Sequence, residues 1–193
     1  MDIRRDNCVE ALREIGFADA DKFLGDYAQT GVFGQLEEGS ISADEFRDFI
    51  RKNIPVPVTD HQIDSAFSKF LIGIPVERLR QLQVLRRKYG IYLLSNTNVI
   101  MWEGKIAEEF RKDGLSVEGY FDGIVTSFEA KCLKPGAEIF NYAIRTLGIE
   151  AEDTLFLDDS ETNLKGASVL GFRTALVSPG QEFIDVLKDL DLA

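Results

Sequence analysis

A chain of 193 residues with 45% apolar and 28% charged side chains is long enough to bury a substantial core, and the balance is ordinary for a soluble globular protein. Its net charge of −11 comes with no run of Lys or Arg, which argues against nucleic acid and anionic membranes as partners, because both need counter-charge. Cys8 and Cys132 lie in no metal-like spacing, His61 sits alone in a polar helical pattern, and no stretch is apolar enough to export or anchor the chain, so a cytoplasmic protein with reduced thiols is expected, without a zinc centre or histidine-based hydrolysis.

The first part of the chain reads as helical. Ile3, Val9, Leu12 and Ile15 recur at helical spacing and predict an opening helix that stops near Gly16. A second helix is expected from about Ala18 to Gln29. Ser42-Ala43-Asp44-Glu45 is a capping box, in which hydroxyl and carboxylate satisfy each other's free amides, and it starts a helix through Phe46, Phe49 and Ile50. Pro55 and Pro57 break that run, and Thr59 with Gln62 caps another helix reaching Phe70. No strand is expected here. Residues 1–74 therefore read as a small all-helical unit, with Phe17, Phe23 and Phe46 as core.

From Pro75 the pattern changes. Pro75 opens a helix through Leu79, Leu82 and Leu85 that Gly90 ends. Apolar runs at Ile91–Leu94, Gly123–Thr126, Thr154–Leu157 and Arg173–Val177 predict strands. Helices are expected near Ile100–Arg111, Gly136–Leu147 and Asn163–Leu170. Short apolar strands alternating with helices imply an α/β fold with a Rossmann-like parallel sheet over residues 75–193.

Three segments carry chemistry. Ser95-Asn96 follows a buried strand, where a hydroxyl and backbone amides can hold phosphate oxygens; helix capping by Ser95, Asn96, Thr97 or Asn98 is the alternative. Lys134-Pro135 precedes a helix, and its lysine can set a fixed positive charge beside a phosphate, or simply be a surface lysine. Asp158-Asp159 ends the buried strand Leu155-Phe156-Leu157, and a helix N-terminus accounts for one of these acids but not both. Hard oxygen ligands there suit Mg²⁺, with Asn163 one turn on to orient them.

In order and spacing, Ser95-Asn96-Thr97-Asn98, Lys134-Pro135-Gly136 and Phe156-Leu157-Asp158-Asp159 resemble the second to fourth motifs of the haloacid dehalogenase-like (HAD) phosphohydrolases, in the subgroup with a small helical cap. The resemblance implies that Ser95 and Asn96 bind a phosphoryl group and that Lys134 neutralises it. It further implies that Asp159 and Asp158 serve a Mg²⁺ cofactor and that Asn163 supports them. The substrate so implied is a small phosphorylated metabolite. The family's first motif, a central strand ending in a nucleophilic aspartate, has no counterpart here: Asp19-Ala20-Asp21 and Asp189-Leu190-Asp191 follow no strand, and Asp2 has one residue ahead of it.

Two readings follow. In one, the chain is a phosphatase working through an aspartyl-phosphate, with its start upstream; as given it lacks the nucleophile and is expected to be inactive. In the other, it is a non-catalytic relative that binds phosphate or a protein. The sheet must then close up or take a strand from a partner, including a second copy in a homo-oligomer.

Overall fold

The computed structural model describes residues 1–25 and 29–193. The chain opens with β1 (Asp2–Ile3), which pairs antiparallel with β2 (Leu71–Gly73), and the Arg4 amide extends the contact to the Phe70 carbonyl at 2.8 Å. The expectation of no strand before Ile74 is thus corrected. Segments of two and three residues carry no readable periodicity, and their pairing is set by the fold around them.

Four helices lie between these strands: α1 (Arg5–Glu14), α2 (Gly31–Glu38), α3 (Ala43–Lys52) and α4 (Asp60–Ser68). Both capping boxes form, Ser42 with Glu45 and Thr59 with Gln62. The expected Ala18–Gln29 helix is replaced, among the described residues, by a single 3-10 turn at Ala20–Lys22 and a Leu24–Gln29 bridge; its remaining positions, 26–28, lie outside them. The Gln29 side chain bonds both the amide and the carbonyl of Gly25, at 3.0 and 3.2 Å.

Helix α2 was not foreseen, because Gly31 and Gly34 weaken its helical signal. A side chain at position 34 would stand 2.7 Å from the Gln29 carbonyl, so packing requires glycine there. Phe33 and Phe46 meet edge to face with centroids 4.9 Å apart, Phe17 and Phe67 are buried around them as core, and Phe23 packs against it partly buried.

Beyond Ile74 the elements alternate. Helix α5 (Val76–Leu85) leads to β3 (Tyr92–Ser95), then α6 (Val99–Met101), a π-helical turn (Trp102–Ile106) and α7 (Ala107–Phe110). β4 (Gly123–Thr126), α8 (Ser127–Ala130), α9 (Ala137–Leu147), β5 (Leu155–Asp158), α10 (Glu161–Ser168), β6 (Arg173–Leu176) and α11 (Phe183–Asp189) complete the chain. Strands β3 and β4 pair in parallel from Tyr92–Gly123 to Ser95–Thr126, and β5 and β6 from Leu155–Arg173 to Asp158–Leu176. Among the described residues β3 and β5 share no ladder. A cavity of about 1260 Å³ is lined by both of them instead.

Two apolar clusters hold the molecule. The larger runs from Cys8 to Phe121 and joins α1–α4 to α5, α6 and Tyr120; the smaller gathers Val125, Ile139, Phe140, Ala143, Ala167 and Phe172. Where the helical region meets the α/β region, the buried carboxylate of Glu109 accepts the Ile74 amide at 2.8 Å and pairs with Lys105 at 2.8 Å and with Lys112. No helix among the described residues is long and apolar enough to cross a membrane.

Candidate functional site

Ser95, Asn96, Lys134, Asp158, Asp159 and Asn163 all line the one cavity between the strand pairs. The structure brings together every residue singled out for phosphate or metal chemistry. It also decides how each is used.

Ser95 ends β3, is buried, and its hydroxyl makes only a long contact of 3.5 Å to the Asn96 carbonyl. Capping of the following helix falls to Asn98, whose Oδ1 accepts the Met101 amide at 3.0 Å. Ser95 is therefore left over for another partner. Asn96 is not: its Nδ2 donates to the Lys134 carbonyl at 3.0 Å and its Oδ1 accepts the Lys134 amide at 2.9 Å. This side chain clamps the lysine's backbone, so what it can still offer an anion is its second Nδ2 hydrogen, beside the Asn96 backbone amide.

Lys134 points inward. Its Nζ lies 2.6 Å from Asp158 Oδ2 and 3.2 Å from the Leu94 carbonyl, and 5.4 Å over the Phe156 ring. Both side chains of the pair are almost wholly buried, at 9% and 6% exposure. On the other side of the carboxylate, Oδ1 accepts the Ser160 amide and Asn163 Nδ2, each at 2.9 Å. Buried charge is tolerated only when paired and hydrogen-bonded, and this carboxylate has all three donors it needs. Ser160 is the cap of α10, accepting the Asn163 amide, so neither aspartate is used as a helix cap.

Asp159 differs from its neighbour. It is exposed at the cavity and has no ion-pair or hydrogen-bond partner among the described residues. A hard cation held here would find one free carboxylate, since Asp158 is already engaged and no group of three or more His, Cys, Asp or Glu gathers among the described residues. That donor set fits a Mg²⁺ ion that keeps several waters and takes further oxygens from a phosphate; it does not make a closed protein cage.

One neighbour of the site went unforeseen. Arg78 of α5 makes a bidentate pair with Glu182, at 2.7 and 2.8 Å, and reaches Asp2 at 2.5 Å, at the edge of the same cavity. Hydrogen bonding to Glu182 leads the influences that raise the Arg78 pKa and outweighs burial, so the guanidinium stays charged. No local signal links residues 104 positions apart, so sequence reading had no way to find this pair.

The family model "haloacid dehalogenase-like hydrolase" matches residues 68–171. D-ribitol-5-phosphate phosphatase of Bacteroides thetaiotaomicron is 36% identical over 174 residues, which is 90% of this chain and 84% of that one. Glyceraldehyde 3-phosphate phosphatase of Methanocaldococcus jannaschii is 25% identical over 60% of this chain and 55% of its own length. A HAD family enzyme of B. thetaiotaomicron, solved as an aspartate-to-alanine variant with magnesium and inorganic phosphate, superposes with a TM-score of 0.91 at 38% identity, over 96% of this chain and 92% of that one. A HAD-like family hydrolase of Porphyromonas gingivalis gives 0.89 at 31% identity, over 97% and 90%. The chain belongs to the haloacid dehalogenase-like hydrolases.

Proposed function

We propose that this haloacid dehalogenase-like chain carries the phosphate-binding, lysine and metal side of a phosphohydrolase site, for a small phosphorylated metabolite. The observation that carries the reading is the buried Lys134–Asp158 pair, locked by Asn96 on one side and Asn163 on the other, at the mouth of a cavity lined by strand ends. Four polar side chains converge there, at the ends of β3 and β5. The likeness to a ribitol-phosphate and a glyceraldehyde-phosphate phosphatase supports a phosphate ester of a small hydroxylated molecule.

In this reading the Ser95 hydroxyl and the Asn96 backbone take phosphoryl oxygens, and Lys134 supplies fixed positive charge beside them. Asp159 would hold Mg²⁺, while Asp158 and Asn163 keep Lys134 and the loop in place; when bound, the ion neutralises phosphate charge. Residues 1–74 act as a helical cap over the α/β core of residues 75–193. The reaction of such a site needs a free carboxylate nucleophile on a strand, and among the described residues the strand carboxylates at the cavity, Asp2 and Asp158, are paired with Arg78 and Lys134. We therefore expect the 193 residues themselves to bind phosphate without turning it over. A non-catalytic phosphate- or protein-binding role is the second reading.

The test compares this chain with a version carrying an added N-terminal apolar strand that ends in Asp-x-Asp, on an aryl phosphate with excess Mg²⁺. Turnover by the extended form alone supports the enzymatic reading. Equal turnover by both would show that another residue supplies the nucleophile, and binding of phosphate without turnover by either would favour the second reading.

A further inference from the structure

Glu37 is a cavity-lining carboxylate that the site described above does not use. It stands in the last turn of α2, half-buried, and its side chain has no hydrogen-bond or ion-pair partner among the described residues. Its backbone, by contrast, is held tightly. The Ser127 hydroxyl lies 2.7 Å from the Glu37 carbonyl and 2.9 Å from the Thr97 carbonyl, and accepts the Thr97 amide at 2.9 Å. Lys131 Nζ adds a bond to the Gly39 carbonyl at 2.6 Å. Gly39 is left-handed (φ +72°), and a side chain there would stand 2.1 Å from the Phe128 carbonyl, so the end of α2 can seat this closely only as it is.

These contacts pin α2 to the loop that begins with Ser95 and Asn96. Glu37 thereby lines the same cavity as the phosphate-site residues. Burial pushes its carboxyl up to about 7, and among the described residues no neighbouring group offsets it. An oxygen pair in that state lacks a hydrogen-bond partner, and a buried polar group without one is costly.

We propose that Glu37 is a specificity residue, which hydrogen-bonds a hydroxyl of the organic part of a phosphate monoester whose phosphoryl group lies at Ser95 and Lys134. A hydroxyl can donate to the carboxylate or accept from the carboxyl, so a polyol or sugar phosphate fits. A second anionic group at that position would be repelled, which is how a site also excludes competitors. The inference rests on the phosphate-site reading above and adds to it the wall that reads the rest of the substrate.

The experiment is calorimetric titration of the 193-residue chain in Mg²⁺ with inorganic phosphate, phenyl phosphate and sorbitol 6-phosphate. The expected result is that the polyol phosphate binds more tightly than phenyl phosphate. Glu37→Ala should remove that preference with about a tenfold loss, the worth of one hydrogen bond to a charged group, and leave inorganic phosphate unchanged. Glu37→Gln, which keeps shape and some hydrogen bonding, should fall between and guards against misfolding of the alanine variant. Polyol phosphate binding untouched in both variants, or an equal loss for all three ligands, would overturn the role of Glu37 while leaving the phosphate site standing. Failure of the unaltered chain to bind any of the three would overturn the phosphate site and this inference together.

Discussion

Lys134 and Asp158, 24 positions apart, meet as a buried ion pair of 2.6 Å whose two ends are each held by an asparagine, Asn96 on the lysine's backbone and Asn163 on the carboxylate. The pair ties the loop after β4 and α8 to the end of β5. It therefore connects one strand pair to the other, which no backbone ladder does among the described residues.

Breaking that pair from one side should be severe. Lys134→Met leaves the carboxylate buried with two neutral donors, and removing one partner of a buried pair costs about 3–5 kcal/mol. Adding Asp158→Leu to the same chain should recover most of the loss, because no uncompensated charge is then buried. Urea unfolding of the single and double variants checks both, and equal stability of the two would refute the argument.

Asp159→Asn should separate binding from stability. The side chain is exposed and unpaired, so unfolding free energy should stay within about 0.5 kcal/mol of the original. Mg²⁺ affinity should fall, and the loss should be larger in the presence of inorganic phosphate, since ion and anion share oxygens. Manganese titration followed by electron paramagnetic resonance, with and without phosphate, measures this directly.

Glu109 should make the protein acid-sensitive in a defined window. Burial alone would raise its pKa, but hydrogen bonds from Lys105, Lys112 and the Ile74 amide prevail and hold it at about 2, below the ordinary value of 4.5. A carboxyl depressed in the folded state stabilises it fully above the unfolded pKa, and that contribution is lost as pH falls from about 4.5 towards 2. Glu109→Gln should therefore be less stable at neutral pH and show a flatter decline across this window. Thermal unfolding from pH 7 to pH 2.5 is the measurement, and parallel curves for the two proteins would count against the assignment.

The two thiols should differ in reactivity. Cys8 is fully buried, and burial pushes its thiol up to about 12, so almost no thiolate exists near neutrality. Cys132 is only half-buried, with its pKa also raised by burial. Iodoacetamide at pH 8 should label Cys132 first and Cys8 only on unfolding, read by peptide mass spectrometry.

Much of the architecture was legible because it is local. Both capping boxes, the helices that follow them, and the strand at Gly123–Thr126 rest on side chains within a turn or on short apolar runs. The unread elements fail for identifiable reasons. Helix α2 contains two glycines that packing demands and propensity disfavours, the Gln29 side chain bonds the Gly25 backbone where a helix was expected, and α11 was not read at all. The β1–β2 pair is too short to show a period.

The sequence by itself determined the alternation of strands and helices, the residue types at each strand end, and through them the family, because those are set by periodicity and by the order of a few motifs. Only the tertiary structure decided what each polar group does. The Asn96 side chain holds the lysine's backbone, Asp158 is engaged while Asp159 has no partner among the described residues, and Glu37 lines the same cavity, because hydrogen-bond partners and burial depend on neighbours that are distant in the chain.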